Sequence, residues 1–369
     1  MALERVVISG YYGCGNLGDE AILTALLARL RARWPRLEPL VLSGVPQETT
    51  RLHGVRAINR RSLPAIVREL RAAQLLISGG GGLLQDRTSR RSPLYYLGII
   101  ALAQWLDRPV FFIGQGVGPL RRRWLRTLAQ RRLRRVAYAL VRDEASLRLL
   151  RSWGLPQERL AQAGDLALLW PSARAGETLS PLVEAPGEKP YAIAALKGPL
   201  AERQAELIAP ELDRLAAEQG LQIILLALAA REDCPATALV AGQMQQPSLQ
   251  LAPQPGELAE TLELIRGARC LLGMRLHSLI FALLAGTPFA ALSEDPKLER
   301  FLAQVERASG LQLPCRSPGQ LRRPGNRLAG SLARLACERG EISAALQRGA
   351  AKLAARTEAA LERCFERMS

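Results

Sequence analysis

Arg5-Val6-Val7-Ile8-Ser9-Gly10-Tyr11-Tyr12-Gly13-Cys14-Gly15-Asn16-Leu17-Gly18-Asp19-Glu20 is a short apolar run that ends in glycines and feeds a helical pattern over 19–33. An unbroken apolar run bounded by glycine reads as a strand buried on both faces, the habit of a parallel sheet. The succession repeats. Strands are expected over 5–9, 39–43, 74–78, 109–113, 138–141 and 160–168, with a further helix over 64–71. Residues 171–190 carry four prolines and few apolar side chains and read as a linker. A second series follows, with strands over 191–196, 221–227, 249–252, 270–273 and 289–293, and 327–368 reads as helical. The expected fold class is α/β, with two Rossmann-like domains facing a cleft (GT-B-like) and a helical C-terminal tail. The expected boundaries are 1–170, 171–190, 191–326 and 327–369, with the tail packing back across the junction.

At 369 residues the chain is too long for one core, and 48% hydrophobic with 23% charged residues is ordinary globular composition. The N-terminus carries no signal-peptide pattern. The longest apolar stretch, 271–292, is interrupted by Arg275, His277 and Ser278, so no membrane span is expected. Six scattered cysteines with no CxxC pair argue against a zinc site and a disulfide framework, so a reducing compartment and a cytoplasmic location are expected. Of the 50 basic residues only four are lysines, and the formal charge is +16. Eight arginines fall within 121–135 on an amphipathic helical pattern. This is either a solvated basic face or a contact for a polyanion or an anionic membrane surface, the latter peripheral at the inner face of the cell membrane. Aromatics make up only 5% and no nucleic-acid module is present, so no nucleic-acid partner is expected.

In open parallel sheets ligands bind beyond the carboxyl ends of the strands, so polar residues between a strand and the next helix matter most. Four junctions stand out. The first is the loop Gly10–Glu20, where glycines admit a ligand to the backbone and Asp19 stands in the first helical turn. Ser78-Gly79-Gly80-Gly81-Gly82-Leu83-Leu84-Gln85-Asp86 and Gly114-Gln115-Gly116-Val117-Gly118-Pro119 are the second and third. The fourth joins Met274-Arg275-Leu276-His277 to Ser293-Glu294-Asp295-Pro296-Lys297 after the following strand. Arg275 and Lys297 stand where a helix N-terminus is already partly positive, a disfavoured place for a cation that an anionic ligand rationalises. Asp295 as cap and Pro296 as first helical residue supply the structural part of that turn. His53, in a loop-like stretch, has a structural reading. The GxGxxG within Gly13–Gly18 is not a dinucleotide site, because the only acid near the expected ribose position is Glu38, followed by Pro39.

These motifs, with Val141-Arg142-Asp143, resemble in content and order the polysaccharide pyruvyl transferases, and among them the CsaB group. The resemblance runs from residue 10 to about 300. It implies a GT-B-like fold and transfer of the pyruvyl group of phosphoenolpyruvate onto a sugar of a lipid-linked or polymeric cell-surface saccharide, closing a ketal and releasing phosphate. It implies no metal or organic cofactor. Carried over by position, the donor site maps onto Arg275, Leu276 and His277, with Lys297 and Arg142 as further anion contacts and Asp19 as the acid of the first loop. Gly79, Gly80, Gly81 and Gln115 are the candidate substrate-binding residues of the glycine loops. One departure is Lys197, where the family is expected to carry arginine.

The chemistry fits that mapping. Phosphoenolpyruvate carries a carboxylate and a phosphate, which Arg meets with a planar fork and Lys with a point charge. His277 is the candidate acid–base group. Arg275 and Lys297 nearby oppose its imidazolium form, and a bound trianion reverses that sign. Asp19 is either the base for the acceptor hydroxyl or a group that orients it. The alternative function on the same fold is a glycosyltransferase that uses a nucleotide-sugar donor.

Overall fold

The first run forms β1 (Arg5–Tyr12), and the chain turns at once into α1 (Leu17–Arg33). Asn16 caps this helix, its side chain accepting the Gly18 N–H at 3.0 Å. Asp19 and Glu20 in the first turn and Arg31 and Arg33 in the last complement the helix dipole. The computed structural model describes residues 3–87, 89–170, 180–322 and 327–368. The chain divides into two units, Met1–Trp170 with Ala354–Ser369, and Pro171–Leu353.

In the first unit there follow β2 (Glu38–Ser43), α2 (Pro46–His53), β3 (Arg56–Asn59), α3 (Leu63–Ala72), β4 (Leu75–Gly79), α4 (Arg91–Trp105), β5 (Val110–Gln115), α5 (Arg123–Leu133), β6 (Tyr138–Val141), α6 (Glu144–Ser152) and β7 (Leu160–Gln162). The strands form one parallel sheet in the order β3-β2-β1-β4-β5-β6-β7. Every residue of β4 and β5 is buried, as befits central strands covered on both faces. On one face Val7, Leu42, Leu76 and Phe112 pack with Ile66, Leu70, Ile100 and Leu125 from the helices. The sequence reading misses α2 and β3, because the edge strand Arg-Ala-Ile-Asn has no apolar run. The strand expected over 160–168 stops at Gln162. Gly164 and Asp165 break it, and Asp165 caps a short 3-10 turn at Leu166–Leu169.

The second unit holds α7 (Pro181–Glu184), β8 (Tyr191–Ala195), α8 (Glu202–Gln219), β9 (Gln222–Leu226), α9 (Ala230–Ala241), β10 (Ser248–Leu251), α10 (Leu258–Gly267), β11 (Leu271–Gly273), α11 (Leu276–Ala285), β12 (Phe289–Leu292), α12 (Pro296–Ser309), β13 (Cys315–Arg316), α13 (Leu328–Cys337) and the start of α14 (Arg339–Glu366). Its parallel sheet runs β10-β9-β8-β11-β12-β13. The apolar stretch 271–292 becomes β11, α11 and β12, and α11 is buried on nearly every side. No described helix is long and apolar enough to cross a membrane. Of the expected linker, 171–179 lies outside the described residues.

The C-terminal helices, expected as one tail, divide between the units, and residues from Ala354 onward belong to the first. There Thr357 Oγ1 accepts the Gly164 N–H at 3.0 Å, Glu358 pairs with Arg29 at 2.6 Å, and the Phe365 ring meets Trp34 at 5.1 Å. Phe365 is fully buried. Phe365→Ala is therefore expected to destabilise the protein by about 3–5 kcal/mol, the usual cost of emptying a buried aromatic site. An unchanged urea midpoint for that variant would show that the C-terminal segment does not support the first unit.

Candidate functional site

Each sheet reverses its strand order once, between β1 and β4 in the first unit and between β8 and β11 in the second. At such a point the connections on either side leave in opposite directions and open a crevice at the carboxyl edge. The Gly10–Glu20 and Ser78–Asp86 loops leave β1 and β4, while Lys197 follows β8 and Arg275 follows β11.

In the second unit the crevice is organised by a residue that the sequence reading passed over. Asp233, in the first turn of α9, is fully buried. Its Oδ1 accepts the Gly198 N–H at 3.0 Å and its Oδ2 the Ala229 N–H at 3.0 Å. Arg275 completes the set, Nε donating to Oδ2 and Nη2 to Oδ1, both at 2.6 Å. Nη2 also donates to Glu232 Oε2 at 2.7 Å. One carboxylate thus joins the loops after β8, β9 and β11. Burial works against the Arg275 cation, but the hydrogen bonds and charges of Asp233 and Glu232 outweigh it and raise the pKa above the ordinary value. These bonds engage Nε and Nη2 and leave the Nη1 edge outside the clasp. The backbone of Arg275 is also the N-cap of α11, while its side chain reaches across to α9.

Leu276, the first residue of α11, is buried and offers a ligand only its backbone. His277 follows, half-buried, and stacks on Phe281 one turn on, with 6.3 Å between ring centroids. Lys297 stands second in α12 after Pro296, and Asp295 caps that helix by accepting the Lys297 N–H at 3.2 Å. Lys297 Nζ lies 3.3 Å from Asp295 Oδ2. Burial alone raises the Asp295 carboxyl, yet the Lys297 ammonium, the Lys297 N–H and the Lys197 charge together hold it below the ordinary carboxylate value. Lys197, Arg275 and Lys297 thus follow three adjacent strands, with Arg275 held by Asp233 and Lys297 beside Asp295.

The first unit gathers a different set. Asp19 is buried in the first turn of α1, and a Cβ on Gly81 would lie 2.7 Å from its Oδ1. Gly80 and Gly81 have φ of +74° and +73°, a conformation that side chains disfavour, so the loop turns here only because both are glycine. Gly79 ends β4 against the hydroxyl of the fully buried Tyr12, whose pKa is raised first by burial and then by Asp19 and Glu20. Arg142, directly after β6, is 7% exposed and pairs with Asp165 at 3.2 Å. Its guanidinium fills the space where a Gly116 Cβ would stand, 2.8 Å from Nε. Asp19, Gly80, Gly81 and Arg142 are thereby brought to one edge of one sheet.

Gln115 is brought to the same edge. Its side chain is fully buried and its Nε2 donates to Ser78 Oγ at 2.8 Å, bracing β5 against β4. His53 ends α2, with Nε2 2.9 Å from Glu20 Oε2, while Glu20 Oε1 accepts the Gly13 N–H at 2.8 Å. The pair fixes the first glycine loop from beneath. Arg60, unsignalled by its surroundings in sequence, lies against the rings of Tyr11, Tyr95 and Tyr96 and donates to Tyr96 Oη at 3.0 Å. Asp165 and Asp233 could have been suspected from rarity, since the chain has eight aspartates and both follow strands. Glu232 gives no such signal.

The chain is 21% identical to the amylovoran biosynthesis protein AmsJ of Erwinia amylovora, with 84% of this chain and 88% of that protein covered. Among solved structures it is similar in fold to Anabaena HepE in complex with UDP and glucose, at TM-score 0.66, 12% identity and 99% of each chain covered. It is also similar to the UDP-GlcNAc 2-epimerase of Neisseria meningitidis, at TM-score 0.62, 12% identity, and 99% and 100% of the two chains covered. At such identities the likeness concerns the two Rossmann-like units, the GT-B-like fold class, and not the reaction. The model of the family described as polysaccharide pyruvyl transferase matches residues 16–296, from the cap of α1 to the start of α12 and across both crevices, and the chain therefore belongs to the polysaccharide pyruvyl transferase family.

Proposed function

We propose that this protein transfers the pyruvyl group of phosphoenolpyruvate to two hydroxyls of one sugar in a lipid-linked or polymeric precursor of a cell-surface polysaccharide. The donor's methylene carbon gains a proton and becomes a methyl group. One hydroxyl oxygen bonds to C2, phosphate departs with its bridging oxygen, and the second hydroxyl closes the ketal as its proton is lost.

The observation that carries this reading is the clasp on Arg275. A guanidinium held by a buried carboxylate keeps a fixed plane, and its Nη1 edge, outside that clasp, suits a carboxylate or phosphate. Lys297 adds a point charge at the neighbouring helix start. Because Asp233, Glu232 and Asp295 already offset part of that charge, the donor is attracted by directed N–H groups as much as by net charge. His277 is the proposed proton carrier to the methylene carbon. Arg142 is proposed as a further anion contact and Asp19 as the group that takes or orients the acceptor hydroxyl proton. No metal or organic cofactor enters the scheme. The second reading, a nucleotide-sugar transferase, draws support from the fold shared with HepE. It also draws on a cavity of about 380 Å³ in the second unit lined by Ser293, Glu294, Glu299 and Arg316, which offers carboxylates to sugar hydroxyls.

Incubation with phosphoenolpyruvate and candidate saccharides is expected to release phosphate and add a pyruvyl ketal detectable by mass. Turnover of a nucleotide sugar instead would select the second reading. Arg275→Ala is expected to weaken phosphoenolpyruvate binding by about 10- to 100-fold, the loss of one charged hydrogen-bonding partner. Arg275→Lys should recover little, since an ammonium cannot span Asp233 and the donor with one plane. Lys297→Ala should have a smaller effect, because a third of that side chain is exposed and Asp295 shares its charge. Unchanged donor affinity in all three variants would place the donor elsewhere.

His277→Gln should lower kcat by roughly 10²–10⁴-fold with donor affinity retained, the signature of lost proton transfer. Activity should also survive EDTA. Loss restored by magnesium would point to a diphosphate donor, whose oxygens such an ion bridges.

A further inference from the structure

Among the described residues five large apolar side chains are exposed, and three of them, Leu94, Trp105 and Trp124, stand on α4 and α5. These helices are neighbours in the first unit, and near their carboxyl ends Gln104 Nε2 donates to the Arg132 carbonyl at 2.9 Å. The outward stripe of α4 is Leu94, Gly98, Ala101 and Trp105, at steps of four, three and four, with no polar side chain in it. A Cβ on Gly98 would meet nothing within 4 Å, so the stripe is open. Trp105 is 71% exposed and Trp124 51%.

Beside α4 lies α5, whose surroundings in sequence are rich in arginine. Seven of the eight arginines over 121–135 are exposed, and no acidic residue occurs between Asp107 and Asp143. Asp86, at the end of the second glycine loop, is turned to the backbone and accepts the N–H groups of Arg121 and Arg122 at 2.9 and 3.0 Å. The Arg122 charge acts on Asp86, while the other exposed arginines face the surface.

We infer that the α4/α5 face docks on an anionic lipid surface, with the α4 stripe and the two tryptophans entering the headgroup region and the α5 arginines meeting lipid phosphates. The two halves of the face select this partner together. A polyanion such as duplex nucleic acid satisfies the arginines but gives Leu94, Gly98 and Ala101 nothing apolar to enter. A second copy on a two-fold axis would cover the stripe only by setting one arginine row near another. A bilayer interface offers acyl chains to the stripe, an amphipathic layer to tryptophan, and phosphates to guanidinium groups.

Flotation of the full chain with vesicles tests this. Binding is expected to vesicles containing phosphatidylglycerol, not to phosphatidylcholine alone, and to fall as salt shortens the screening length below about 10 Å. Replacing Arg121, Arg122 and Arg123 by Gln should weaken vesicle affinity at least about tenfold. Leu94→Ser with Trp105→Ser should weaken it too, with charge unchanged. Both variants should keep the parent's thermal unfolding and its activity on a soluble acceptor. The inference is overturned if the parent ignores anionic vesicles or if both variants bind them like the parent. It is equally overturned if duplex DNA is bound as tightly as vesicles with no loss in the Leu94/Trp105 variant, or if that variant converts a dimer to a monomer in light scattering.

Discussion

A carboxylate with no exposure to water has to be fully paired or it costs several kcal/mol, and Asp233 meets that demand with four hydrogen bonds from three loops. The demand works in both directions. The loops after β8, β9 and β11 are held at one height along the sheet edge because each gives a donor to the same two oxygens, and Arg275 cannot rotate without leaving a buried charge exposed to nothing. The candidate donor site therefore has its central cation placed by the interior of the unit. A surface arginine would lose side-chain entropy on meeting a ligand, and this one has lost it on folding.

The first unit solves a related problem by omission. Where the second unit fixes a cation with a carboxylate beneath it, the first leaves out side chains so that charged groups can lie against the backbone. Asp19 rests on Gly81 and Arg142 rests on Gly116. Arg142 and Asp165 repeat the buried Arg–Asp pairing of the second unit, so each unit carries such a pair at its carboxyl edge. The supports are specific to each loop: Gln115 bonds to Ser78 beneath the second and third, and Glu20 with His53 holds the first.

Much of this was legible in the sequence, for definable reasons. Strands buried on both faces are apolar throughout, so β1, β4, β5, β6, β11 and β12 announce themselves, while the edge strands β3 and β13 do not. The junction rule found Arg275 and Lys297 because a cation at a helix start conflicts with the helix dipole, and such a conflict shows in sequence. Asp233 and Glu232 were missed because an acid in the first turn of α9 agrees with the dipole and so looks like ordinary helix chemistry. Asp165 is hidden inside a segment that reads as a strand, and the bond from Gln115 to Ser78 is not legible because sequence does not tell which way a side chain at a strand end turns.

The division of α14 has a consequence for how the protein is made. The first unit needs residues from Ala354 onward to cover Trp34 and to satisfy the Gly164 N–H, yet the whole second unit is encoded between these pieces. At ~5–20 residues per second, synthesis of the second unit keeps the nascent first unit waiting for roughly ten to forty seconds. During that interval the seat of Phe365 beside Trp34 lacks its cover, and the first unit completes its core only when the end of the helix arrives.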